Sequence, residues 1–165
     1  MFNKALTILE NCPGKCDFSC YRCLRSFKNK LEHDLLDRYL GASLLRYILL
    51  DEIPKTDIHR LDQTTEILFQ DLLRQGIEGI KVEKNKAIKL SKIPEITAPI
   101  LITRKKDNMS LIVFLYNPLT PGYLPDEGIR QLMEYNTTIP VKLIDELVVR
   151  RNLPAATKSI IDELT

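Results

Sequence analysis

The sequence predicts an α+β protein: N-terminal helices around a four-cysteine loop, a central, largely antiparallel four-stranded sheet, and C-terminal helices. Three observations carry this prediction. Cys12, Cys16, Cys20 and Cys23 are the only cysteines and lie within twelve positions. Apolar residues recur at helical spacing from Phe2 to Leu73 and again after Asp126. Between them, from Ile80 to Tyr116, the period shortens to that of strands.

The elements follow in order. Phe2, Ala5, Leu6, Ile8 and Leu9 form one helical stripe that ends at the cysteines. Leu31, Leu35, Leu36, Tyr39, Leu40, Leu44, Tyr47 and Ile48 predict an amphipathic helix of about five turns, ending near Asp51 before Pro54. Residues 52–58 read as a linker, which separates a helical cysteine-bearing subdomain (1–52) from an α+β subdomain (59–165) packed on it. Asp62 or Thr64 can cap the next helix, whose buried stripe is Ile67, Leu68, Leu72 and Leu73 and whose stop is Gly76. Ile80 and Val82, then Ile88 and Leu90, alternate with charged residues, with Lys84-Asn85 as a two-residue hairpin turn between them. Residues 99–103 and 111–116 are continuous apolar runs and belong in the middle of the sheet. After the Pro- and Gly-rich break at 117–122, Asp126 can cap a helix carrying Ile129, Leu132 and Met133. Pro140 opens another, with Leu143, Ile144, Leu147 and Val148, and Pro154 a last one, with Ile160, Ile161 and Leu164.

Composition narrows the class. The 165 residues are 44% hydrophobic and 28% charged, the proportions of an ordinary globular protein. Bulk disorder, collagen-like repeats and a secreted disulfide miniprotein are excluded. A net charge of +2 does not announce a nucleic-acid binder, but local patches matter more than totals. No apolar run approaches the ~20 residues that span a bilayer, and the N-terminus lacks the pattern of a signal peptide. The expected compartment is the cytoplasm, where thiols stay reduced.

In that compartment the spacing C-x3-C-x3-C-x2-C reads as a metal site rather than as disulfides. Zinc takes four thiolates in a tetrahedron at about 2.3 Å. Pro13-Gly14 lets the chain turn around the ion, and Lys15, Arg22, Arg25 and Lys28 can offset the excess negative charge of a tetrathiolate. A 4Fe–4S cluster held by all four cysteines is the alternative. Cys16-x3-Cys20-x2-Cys23 has radical-SAM spacing, but Cys12 can close the fourth position and Arg22 stands where that pattern favours an aromatic residue. The chain also lacks the alternating βα units of a barrel.

The stretch from Cys20 to Arg38 resembles the cysteine-rich C-terminal domain of unknown function in DrmB-type proteins of anti-phage defence and in MrfA-like superfamily 2 helicases. That pattern runs as a short helix, four cysteines, C-L-x-S-[YF]-x-N, then H-x-x-L-D-R and a leucine-rich helix. The four cysteines match, as do Leu24, Ser26, Phe27 and Asn29, then His33, Leu36, Asp37 and Arg38. The match is specific over about residues 3–50. The resemblance implies a helicase or DrmB-like partner and DNA as the shared substrate. No G-x-x-x-x-G-K-[ST] phosphate loop occurs, so the chain reads as a separate subunit or a fragment.

The remaining polar residues divide into structural and functional candidates. His33 and Asp37, four apart on the expected helix, read as structural or supporting groups beside the metal. Arg22, Arg25, Lys28, Lys30 and Arg38 are candidates for DNA or partner contact, with Tyr21 and Phe27 able to stack on a base. Lys81, Lys84, Lys86, Lys89 and Lys92 form a second basic stretch. The expected function is a non-catalytic zinc-binding accessory module of a helicase-like complex in phage defence or DNA repair. One alternative is a divergent Mg²⁺-dependent nuclease using His33 or the Glu78–Lys86 stretch, although residues 99–103 and 111–116 carry no carboxylate. The other is a free-standing DNA-binding zinc protein.

Overall fold

The computed structural model describes residues 1–55, 57–90, 93–117, 119, 127–135 and 139–164, the side chains at 90, 93, 94, 127–129 and 135 excepted. The chain forms two compact units, Met1–Lys55 and Thr56–Thr165. Among the described residues no helix is long and apolar enough to cross a membrane.

The first unit begins with helix α1 (Phe2–Glu10) and ends with helix α2 (Arg38–Leu50). A 3₁₀ segment, Phe27–Leu35, lies between them. The amphipathic period from Leu31 to Ile48 predicts one helix, but the structure breaks it. Leu36 is extended (φ −82°, ψ 123°) and Asp37 takes the N-cap position instead. Its carboxylate accepts from Tyr39 N at 2.9 Å and Leu40 N at 3.2 Å. An acidic side chain that can satisfy free amides favours a helix start over a helix interior, and here that local preference defeats the apolar period. A Cβ on Gly41 would lie 3.2 Å from Leu9 Cδ1, so α1 and α2 approach closely at this point.

The second unit opens with α3 (Ile58–Gln75), capped by Asp57 rather than by the expected Asp62 or Thr64. Gly76 ends it at φ 56°, as its position after the apolar stripe predicts. Four strands follow: β1 (Ile80–Leu90), β2 (Ile93–Arg104), β3 (Met109–Tyr116) and β4 (Val141–Asp145), in that order across the sheet. The first three pair antiparallel, while β4 runs parallel to β3. Helix α4 (Glu127–Tyr135) precedes β4, and α5 (Glu146–Arg151) and α6 (Leu153–Leu164) follow it. The expected cap Asp126 lies outside the described residues.

Two expectations are corrected here. Lys84-Asn85 is no hairpin turn, because β1 runs through it and pairs with β2 from Ile80↔Arg104 to Leu90↔Ile93. The turn signal nevertheless marks a real feature. Asn85 has φ 51°, and on either side of it the apolar residues change face. Ile80 and Val82 join one core, while Ile88 joins the other. Pro140 opens no helix either. Val141, Lys142, Leu143, Ile144 and Asp145 form β4, and the helix starts only after Asp145, whose side chain accepts from Leu147 N at 2.8 Å. The apolar positions 143, 144, 147 and 148 fit a helix by period. Pairing with β3 and burial on both faces decide for a strand.

Both faces of the sheet are covered. Leu68 and Leu72 of α3, Val149 of α5 and Ile160 of α6 pack on Ile100, Ile102, Leu111 and Val113. On the opposite face Leu132 of α4 packs with Ala98, Leu101, Ile112 and Phe114.

Candidate metal centre

The cysteine loop returns on itself between α1 and the 3₁₀ segment. Cys12 Sγ lies 3.5 Å from Cys20 Sγ and 3.7 Å from Cys16 Sγ. Cys23 Sγ lies 3.7 Å from Cys16 Sγ and 3.8 Å from Cys20 Sγ. A tetrahedron with metal–sulfur arms of about 2.3 Å has edges of about 3.8 Å, so the four sulfurs are spaced to surround one ion. Among the described residues this is the group of Cys, His, Asp and Glu side chains close enough to hold a metal.

Backbone amides support the sulfurs. Gly14 N donates to Cys12 Sγ (3.4 Å), Cys20 N to Cys23 Sγ (3.2 Å) and Arg22 N to Cys20 Sγ (3.4 Å). Gly14 is needed for a second reason: a Cβ there would stand 2.9 Å from Cys20 Sγ.

The thiols titrate against one another. Burial works to raise Cys12, but the Gly14 amide and neighbouring cysteines outweigh it and bring the thiol down to about 6. Burial, with Cys23, Cys12 and Cys20 alongside, pushes Cys16 up to about 12. Burial likewise raises Cys23. Four sulfurs this close cannot all carry negative charge at neutral pH by themselves. A dication among them removes that conflict, so the donor set fits a thiophilic metal.

Arg38 ties the loop to both helices. Its Nε donates to Cys16 O at 2.8 Å, and its Nη1 to Leu9 O at 2.7 Å and Glu10 O at 3.2 Å. Nη2 donates to Tyr39 Oη at 2.6 Å. The guanidinium thus satisfies carbonyls at the C-terminal end of α1, where a cation is favoured. It is buried within the first unit, which leaves it poorly placed to reach a phosphate.

His33 and Asp37 do not share a helix. His33 Nε2 lies 3.0 Å from Ser26 O and 3.2 Å from Asn29 Oδ1, and its ring meets Tyr21 edge-on at 5.4 Å. Arg25 Nε donates to Ser19 Oγ at 2.9 Å. Arg22, Lys28 and Lys30 are exposed, and Lys30 Nζ lies 5.2 Å from the centre of the Phe27 ring.

The second basic stretch is different, and its Lys92 lies outside the described residues. Lys81 and Lys86 both pair with Glu83 at 3.1 Å, Lys84 pairs with Glu66, and Lys89 pairs with Glu95 at 3.3 Å. Glu83 is therefore engaged by two lysines, which hold its carboxyl below the usual range. Glu78 is exposed in the turn before β1. An apolar cleft of about 80 Å³ in the second unit, lined by Leu72, Ile80, Val82, Ile102 and Ile160 among others, contains no titratable side chain.

Period and spacing give no hint of one buried polar group. Arg60 Nε donates to Glu146 Oε1 at 3.0 Å, with the two side chains 8% and 1% exposed. Asn117 Nδ2 donates to the same oxygen at 3.2 Å, and Arg150 Nε donates to Thr64 Oγ1 at 2.6 Å. Glu146, one of two acidic residues among the apolar positions at 141–149, is the signal that could have found it.

The chain is thus an α+β protein with a four-thiol site for one metal ion. It is similar to the Druantia protein DruE of Escherichia coli (strain UMEA 4076-1), 30% identical over 162 residues that cover 94% of this chain and 8% of that protein. The chain accordingly spans a small fraction of that relative's length. No protein-family model matches it. No solved structure matches it.

Proposed function

We propose that this chain is a non-catalytic, zinc-holding module of a phage-defence assembly of the Druantia kind, docked to a helicase-like partner and helping that partner contact DNA. The observation that carries the reading is the similarity to DruE along nearly all of this chain, joined to the four converging sulfurs. Sulfur separations of 3.5–3.8 Å favour one tetrahedral ion. A 4Fe–4S cluster puts an iron on each arm and needs a wider cage. Zinc fits four thiolates without redox chemistry, and a structural zinc stabilises the fold around it. The test is affinity capture of the chain from cells carrying its natural neighbours, with metal analysis of the product. One zinc per chain and a stoichiometric ATPase are expected. Recovery of the chain alone, or of an iron-containing chain, overturns the corresponding part.

One observation favours a second reading. Helix α3, three antiparallel strands, α4 and the parallel β4 follow one another in the order of restriction-type nuclease cores. Glu83 of β1 and Glu95 of β2 are engaged by lysines, which weighs against a Mg²⁺ site on these strands. Mg²⁺-dependent cleavage of DNA that is lost in Glu83→Gln would establish this reading in place of the first.

A further inference from the structure

The two basic stretches look alike in sequence and differ in space. On β1, Lys81, Lys84, Lys86 and Lys89 each face a carboxylate. Beside the cysteines, Arg22, Lys28 and Lys30 have no carboxylate partner among the described residues. Residues 12–31 hold five basic side chains against the single acid Asp17. The same stretch exposes two large rings, Tyr21 at 69% and Phe27 at 79%. Each is tied to its surroundings by a neighbouring side chain. His33 meets Tyr21 edge-on at 5.4 Å, and its Nε2 lies 3.0 Å from the carbonyl of Ser26, the residue before Phe27. Tyr21 also lies inside the turn closed by Cys20 and Cys23, and Lys30 lies over the Phe27 ring.

We infer that this face binds single-stranded DNA, with Tyr21 and Phe27 stacking on successive bases and Arg22, Lys28 and Lys30 following the phosphates. Exposed rings among cations without carboxylate partners form the stacking platform with a charged track that unpaired strands require. A duplex keeps its base faces covered and offers such rings nothing to stack on. The inference rests on the DNA-contact part of the proposed function and names the strand form and the residues.

The test uses the full, metal-loaded chain and the fluorescence anisotropy of a labelled dT20 strand, its 20-base-pair duplex and a U20 RNA at several salt concentrations. The dT20 strand should bind at least about tenfold more tightly than the duplex. Tyr21→Leu with Phe27→Leu, which keeps apolar bulk, should weaken it by about tenfold or more. Lys28→Ala with Lys30→Ala should flatten the dependence of log affinity on log salt by roughly 1.4. Lys81→Ala with Lys86→Ala should change neither reading. Metal content and circular dichroism verify that each variant is folded. Equal or tighter binding of the duplex, tighter binding of U20, no binding at low salt, or leucine variants that bind like the parent would each overturn the inference. So would leucine variants that lose partner capture but keep dT20 binding, since the face would then be a protein-docking surface. Capture retained without strand binding overturns this inference alone. Strand binding retained without capture overturns only the docking reading.

Discussion

Met1–Lys55 and Thr56–Thr165 are stabilised in different ways. Among the described residues the first unit buries few apolar side chains, chiefly Leu9, Cys12 and Ala42, and exposes Phe27, Leu31, Leu44, Ile48 and Ile53. The second buries a cluster on each face of its sheet. A unit of some 55 residues with so small a core lacks the apolar burial that usually stabilises a domain, and below this size metals commonly make up the difference. Each unit also holds a buried arginine, in contrasting settings. Arg38 donates to neutral carbonyls and a phenol, whereas Arg60 pairs with the buried carboxylate of Glu146. Apolar area stabilises the second unit, whereas the first has the Arg38 ties and four thiols able to hold a metal.

The contrast can be broken most decisively at the metal. On the zinc reading proposed above, Cys20→Ser or a strong chelator should unfold Met1–Lys55 while Thr56–Thr165 stays folded, because a structural zinc supplies on the order of 10 kcal/mol. Amide hydrogen exchange resolved along the chain measures this. Equal loss of protection in both units would show one cooperative body instead. Next, Arg60→Met should cost about 3–5 kcal/mol by leaving Glu146 buried opposite an apolar group, and adding Glu146→Leu should restore most of it. Urea melts of the three variants decide the matter. Arg38→Lys should cost about 2 kcal/mol, since an ammonium cannot fork to Cys16, Leu9 and Glu10 together. Loss of protection in the first unit alone is the expected readout.

A smaller effect is visible in acid. The Thr157 hydroxyl, at 2.6 Å, works against burial and, with Arg74, holds the Asp71 carboxyl below its usual range. A depressed carboxyl contributes stability above its unfolded value of about 3.9 and loses it as pH falls through the folded value. The stability gap between the parent and Asp71→Asn should therefore be constant above about pH 5 and shrink below about pH 4. A gap that widens in acid would contradict the assignment. The smallest effect is Lys84→Ala, which removes a surface pair with Glu66 and should cost about 0.5 kcal/mol or less in the same melts.

The convergence of the four cysteines was the most legible part of the chain. Cysteine spacing is local, and a short loop has little choice of geometry. The order of helices, sheet and helices was legible for a similar reason, since burial imposes its period on neighbours. Boundaries were less legible. Asp37 ended a helical period that continues through it, and Asn85 carried a turn conformation into an unbroken strand. Residues 141–145 satisfied a helical pattern and a strand pattern equally.

By itself the sequence determined the four-thiol site, the α+β class and the apolar stripes, because these depend on residue type and short-range spacing. Tertiary structure alone decided that β4 lies parallel beside β3, that Arg60 meets Glu146, and that the β1 lysines are paired while those beside the cysteines are not. The strand pairing, Arg60–Glu146 and Lys84–Glu66 depend on partners far away in the chain, and period carries no information about which distant residue will stand opposite.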